Sequence, residues 1–130
     1  MKIVVAYDQS DAVKSAVELA KKHAKAFDAQ VFLITSLAQG PELRREDIQK
    51  VERQLEKAKM SFKDAGISCK TYANVSFLSP GEELVQFAKE NGIDEIIIGI
   101  KKKSKVGKLL FGSNAQYIIL QAPCTVVTVK

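Results

Sequence analysis

The segment from Gly99 to Ser113, GIKKKSKVGKLLFGS, contains residue types that suit the binding of an anionic group. The positive charges of its five lysines equal in number the formal net charge of the whole chain, +5. These lysines are Lys101, Lys102, Lys103, Lys105 and Lys108. Positive charge concentrated in one loop indicates an anionic ligand at one place, more than a general affinity for nucleic acid or membrane.

Three further positions could complete such a site. Gly112 and Ser113 precede an apolar pattern that predicts a helix, and the free amides and dipole of a helix N-terminus favour an anion such as phosphate. Gly99 ends an apolar strand, where the absence of a side chain would let a ligand approach the backbone. Asp8 follows the first strand and could accept hydrogen bonds from the neutral end of a ligand, such as a ribose hydroxyl, or could cap the helix that follows.

Strands and helices alternate along the chain. Apolar runs predict strands at residues 2–7, 30–37, 67–73, 94–99 and 124–129, and apolar positions at three- and four-residue steps predict helices at 11–27, 43–65, 79–91 and 113–121. This alternation predicts an α/β fold, with a five-stranded parallel sheet and helices on both faces. Right-handed crossovers leave few strand orders, of which 3-2-1-4-5 is one common solution and the one predicted here.

That strand order would bring the candidate residues together. The first and fourth strands are then neighbours, and the winding direction reverses between them. Ligands of such sheets bind at the carboxyl ends of the strands at this reversal. Asp8 and Gly99 follow these two strands, so the lysine segment begins at the expected crevice.

Composition places the chain in the ordinary globular class. Its 130 residues, 46% of them hydrophobic, fit one domain over residues 1–130 with a single core. No apolar run approaches a membrane span and the N-terminus does not resemble a signal peptide, so a cytoplasmic location is expected. Cys69 and Cys124 are expected to be reduced thiols, and His23 has no partner motif and is expected to be structural.

The chain resembles the universal stress protein family, whose nucleotide-binding members carry the motif G-x2-G-x9-G-[ST]. Here the register is Gly99, two residues, Lys102, nine residues, then Gly112 and Ser113. The resemblance extends over the whole chain. It includes VVAYDQS, GSNAQYIILQAP and TVVTVK.

The resemblance implies a function and a set of contacts. The ligand would be an adenine nucleotide, ATP or AMP, which Mg²⁺ could accompany, bound by a cytoplasmic regulatory protein of the stress response. Asp8 and Ser36 would lie on the nucleoside side, and Ile98 and Gly99 would lie against the sugar and adenine. Lys102, Gly112 and Ser113 would hold the phosphates.

Lys102 departs from the motif, which has its middle glycine at this position. If the position needs a positive φ, a lysine costs about 1–2 kcal/mol. If it needs only close approach to a phosphate, the Cβ obstructs the ligand while the ammonium group attracts it. The alternative function is therefore a family member that binds no nucleotide and acts as a dimeric interaction protein.

Other functions have less support in the sequence. A nucleic-acid binder would need more aromatic residues near the lysines than Phe111. No nucleophile–base pair or metal cluster indicates an enzyme, although slow ATP hydrolysis stays open. The last strand is apolar and at the expected edge of the sheet, so a homodimer through residues Thr125 to Val129 is predicted, as is common in the family.

Overall fold

The computed structural model describes residues 1–100 and 112–130 of the chain. Its elements are β1 (Lys2–Ala6), α1 (Ala12–Phe27), β2 (Gln30–Ala38), α2 (Arg45–Asp64), β3 (Cys69–Ser76), α3 (Pro80–Asn91), β4 (Glu95–Gly99), α4 (Ser113–Gln121) and β5 (Thr125–Val129). The strands form one parallel sheet in the order β3-β2-β1-β4-β5. The predicted α/β fold and strand order are confirmed.

Each face of the sheet carries its own hydrophobic core. Along β1, Ile3 and Val5 face the core beneath α1 and α2, while Val4 faces the core beneath α3 and α4. The alternation follows from the two-residue period of a strand. All three side chains are fully buried, as expected for a parallel sheet covered on both faces.

Most predicted boundaries lie within one or two residues of the observed ones, and two differences concern the third strand and the start of the first helix. The third strand was expected at 67–73 but runs from Cys69 to Ser76, because β2 extends to Ala38 and pairs with it over its whole length. The first helix begins at Ala12 after Asp11, and Asp8 does not cap it. Asp8 Oδ1 instead accepts a hydrogen bond of 2.8 Å from the Ser10 amide, which closes the turn before the helix.

A buried carboxylate is paired with the single histidine. Glu95 is only 6% exposed, and its Oε1 lies 2.6 Å from His23 Nδ1. Because a carboxylate only accepts hydrogen bonds, His23 Nδ1–H is the donor. The contact ties the last turns of α1 to the start of β4, which agrees with the structural role predicted for His23.

The two cysteines are free thiols at opposite sides of the sheet. Burial raises the pKa of the Cys69 thiol to about 11. Burial also raises the pKa of Cys124, with Asp94 and Glu95 as smaller contributors. The helices in the described part of the chain are each too short or too polar to cross a lipid bilayer.

Candidate functional site

A cleft of about 330 Å³ opens at the carboxyl ends of β1, β2 and β4. It lies on the face of the sheet that carries α3 and α4, and the first turns of these two helices form its outer wall. The cleft lies between β1 and β4, where the winding direction of the sheet reverses. A ligand is predicted at this point from the sequence.

The floor of the cleft is apolar. It consists of Ile34, Leu84, Ile98 and Ile118, each at most 4% exposed. They come from β2, α3, β4 and α4 and belong to one core, so their positions are held by packing on all sides. A flat apolar ring is the kind of group that such a floor accommodates.

The rim of the cleft is polar on the side of β1 and β2. Asp8 and Ser36 line it, and so does Thr35, whose Oγ1 donates a hydrogen bond of 2.7 Å to the Tyr7 carbonyl. Asp8 Oδ1 is occupied by the Ser10 amide, whereas Oδ2 has no partner within residues 1–100 and 112–130. An exposed carboxylate oxygen of this kind can accept a hydrogen bond from a ligand hydroxyl.

Gly99 lines the cleft, but its lack of a side chain has another cause. A Cβ at this position would lie 2.7 Å from the Cβ of Ala12 and 3.2 Å from its carbonyl carbon. The glycine therefore lets the first turn of α1 pack directly against the end of β4. Contact of Gly99 with a ligand stays a prediction.

The N-terminus of α4 has no capping side chain among the described residues. Its N-cap is Gly112, with φ −62° and ψ 161° and no side-chain cap. The amides of Ser113, Asn114 and Ala115 have no acceptor among the described residues, and the first bond of the helix runs from Gln116 N–H to Gly112 O. Uncapped amides at a helix N-terminus are donors for an anion.

The N-terminus of α3 is closed, in contrast. Ser79 Oγ accepts from the Glu82 amide at 3.2 Å and donates to Glu82 Oε1 at 2.8 Å, so Ser79 caps the helix. Pro80 has no amide hydrogen, and the Gly81 amide donates to Asn114 Oδ1 at 3.0 Å. An anion in the cleft would therefore find its donors on α4.

The structure brings most of the predicted site residues to this region. Asp8, Ser36, Ile98 and Gly99 line the cleft, and Gly112 and Ser113 lie at the start of α4 beside its lining residues Asn114 and Ala115. Lys102 and the rest of the lysine segment lie outside the described residues.

Sequence reasoning missed the contribution of α3. Pro80, Gly81 and Leu84 line the cleft, and so does Asn114, which contacts Gly81. The sequence could have indicated that the start of α3 lies at the cleft, because every loop that follows a parallel strand emerges at the same edge of the sheet.

A second cleft, of about 780 Å³, lies across Asp8 between α1 and α2. It shares Tyr7 and Asp8 with the first. Its charged residues are of both signs in equal number: Asp8, Asp11, Glu18, Lys14, Lys21 and Lys57. Glu18 and Lys21 pair with each other at 3.4 Å. The formal charges of these lining residues therefore cancel.

The comparisons with known proteins agree with the geometry. The sequence model of the universal stress protein family matches residues 1–130. This chain belongs to the universal stress protein family. A universal stress protein of Methanocaldococcus jannaschii is 31% identical to it over 99% of this chain and 81% of the relative.

Solved universal stress proteins share the fold closely. One from Archaeoglobus fulgidus is 34% identical, with a TM-score of 0.88 over 100% of this chain and 98% of the other. Another A. fulgidus structure, of a universal stress protein in complex with dAMP, is 30% identical, with a TM-score of 0.84 over the same shares of the two chains.

Within the described residues of this universal stress protein, no group of three or more His, Cys, Asp or Glu side chains could hold a metal ion.

Proposed function

We propose that this protein binds an adenine nucleotide, AMP or ATP, in the cleft at the carboxyl ends of β1 and β4, and that it acts as a regulatory protein of the stress response. The proposed role is binding, and no catalytic residue is assigned. Mg²⁺ would enter with the phosphates of ATP.

The observation that carries the proposal is the placement of two complementary surfaces in one cleft. The apolar floor at Ile34 and Ile98 suits an adenine ring, and the open amides at the start of α4 suit a phosphate. Asp8, whose Oδ2 has no partner among the described residues, suits a ribose hydroxyl between them. The A. fulgidus relative bound to dAMP supports a mononucleotide as the ligand.

The proposal predicts that AMP or ATP raises the melting temperature of the purified protein. A ligand that binds only the folded state stabilises it by about 2.7 kcal/mol at one hundred times its Kd. For a domain of this size, this corresponds to a rise of roughly 8–15 °C. Differential scanning fluorimetry against a nucleotide titration measures the effect.

Inorganic phosphate and GMP at the same concentrations are the controls for ionic strength and for the base. A melting temperature that stays constant up to millimolar AMP and ATP would contradict the proposal. That result would favour the alternative of an interaction protein without nucleotide.

Homodimerisation through β5 is part of the same proposal. β5 is an edge strand, as predicted, so one side of its backbone has no strand partner within the described sheet. The neighbouring helix α4 exposes Leu120 to 77% and Ile119 to 42%. A second copy pairing along this edge would complete the backbone bonds and cover these side chains.

Removing one outward amide hydrogen should weaken such a dimer. The Val129 carbonyl accepts from Ile100 N–H at 2.7 Å and so faces β4, and backbone groups alternate in direction along a strand. The amide of Thr128 therefore points outward. Thr128→Pro should raise the dimer dissociation constant by roughly tenfold or more. Thr128→Ala keeps the amide and should leave the dissociation constant unchanged. If light scattering finds only monomer in the unmodified protein, the dimer is rejected.

A further inference from the structure

The first turns of α3 and α4 are in direct contact at Gly81 and Asn114. A Cβ on Gly81 would lie 3.1 Å from the carbonyl oxygen of Asn114, 3.2 Å from its Oδ1 and 3.3 Å from its Cα. Only a glycine leaves room for this approach without displacing α4. The two helix starts that form the outer wall of the cleft are thus joined at one point.

The hydrogen bond at this contact fixes the orientation of the Asn114 carboxamide. The Gly81 amide can only donate, so the atom 3.0 Å away must be the Asn114 oxygen. The Nδ2 group, which carries two N–H donors, is therefore turned away from Gly81. Within the described part of the chain no acceptor faces Nδ2, although Asn114 lines the cleft.

This orientation changes what the cleft presents to an anion. Without the bond, the Asn114 oxygen could turn toward the open amides of α4, where an Asn side chain competes for backbone donors. With the bond, the acceptor is taken up by α3, and the two N–H donors of Nδ2 have no acceptor among the described residues.

We propose that Asn114 is a specificity-determining residue of the cleft, which holds the start of α3 through Oδ1 and donates through Nδ2 to the anionic group of the ligand. The inference rests on the proposed binding of an adenine nucleotide. A side chain outside the G-x2-G-x9-G-[ST] motif would then add to the preference for a charged nucleotide that the backbone amides of α4 provide.

Two variants separate the two roles of Asn114. In Asn114→Asp, a carboxylate oxygen still accepts from Gly81, but both donors are lost. In Asn114→Ala, the donors are lost without added charge, and so is the bond to Gly81. Dissociation constants for AMP are measured by calorimetry, those for adenosine by ligand-observed NMR, and the melting temperature of each ligand-free variant by scanning fluorimetry.

We expect AMP binding to weaken by roughly ten- to a hundredfold in Asn114→Asp and by about three- to tenfold in Asn114→Ala. Adenosine binding should change by less than about twofold in both, and only Asn114→Ala should melt at a lower temperature. If AMP binds Asn114→Ala as tightly as the unmodified protein, the donor role is overturned. A loss of AMP affinity seen only in Asn114→Asp would then come from repulsion between the new carboxylate and the phosphate.

Equal losses for AMP and adenosine also overturn the inference, because they show that Asn114 only maintains the shape of the cleft. Failure of the proposed function looks different. In that case the unmodified protein itself binds neither AMP nor ATP, and no variant is needed to see it.

Discussion

Gly112→Asp should abolish nucleotide binding and leave the fold intact or slightly more stable. Asp is among the best N-cap residues, and its charge also interacts favourably with the helix dipole, by about 0.3–1 kcal/mol. Gly112 has a φ of −62°, and a Cβ there meets no described atom within 4 Å. The same carboxylate would occupy the α4 amides and repel a phosphate, so AMP affinity should fall by roughly a hundredfold or more.

In Gly112→Asp, the free energy of unfolding should stay the same or rise while the affinity for AMP falls. A loss of binding therefore cannot be explained by a damaged fold. Gly112→Asn is the matched control, because it caps the same amides without charge and should weaken binding less. Calorimetry gives the affinities and urea unfolding gives the stabilities. If Gly112→Asp binds AMP as tightly as the unmodified protein, the phosphate does not lie at the start of α4.

Gly99→Ala should have the largest effect on stability. The new Cβ would lie 2.7 Å from the Cβ of Ala12, in a contact between a strand and a helix where neither backbone can yield easily. Overpacking of this kind costs typically about 1–3 kcal/mol. For 130 residues, this corresponds to a melting temperature lowered by roughly 5–15 °C, measured by calorimetry or circular dichroism.

A second substitution tests the cause of this loss. Gly99→Ala combined with Ala12→Gly removes the clashing methyl group and should melt measurably higher than the sum of the two single losses predicts. The reason is that the 2.7 Å contact is gone, while the 3.2 Å contact with the carbonyl carbon of residue 12 stays. Gly40→Ala is the control, because a Cβ at Gly40 has no described atom within 4 Å and no positive φ to strain. A Gly99→Ala protein that melts like the unmodified one would show that α1 can shift away from β4 without cost.

The fold followed from local patterns. Apolar runs in KIVVAY and EIIIG, and the repeats of Leu55 and Phe62 in α2, have the periods of buried strands and of a helix with one apolar face. These periods depend only on backbone geometry, and the handedness of the crossovers then leaves few strand orders. The position of the candidate site followed as well, because parallel sheets place all their carboxyl ends at one edge.

The contacts between elements did not follow from the sequence. Ala12 lies against Gly99, 87 positions along the chain, and Asn114 accepts a hydrogen bond from Gly81, 33 positions away. The two partners of such a pair are brought together by the packing of a helix on a strand or on another helix. The residues next to one partner in the sequence therefore do not predict which residue it contacts.

The sequence by itself determined the order of strands, the edge at which a ligand would bind and the family to which the chain belongs, since each depends on local periodicity or on a motif of fixed spacing. Tertiary structure decided how the starts of α3 and α4 are joined. The cap that Ser79 provides for the Glu82 amide is local to α3. The hydrogen bond from the Gly81 amide to Asn114 Oδ1 exists only because α3 packs against α4, and this packing alone decides that the Asn114 oxygen is used there.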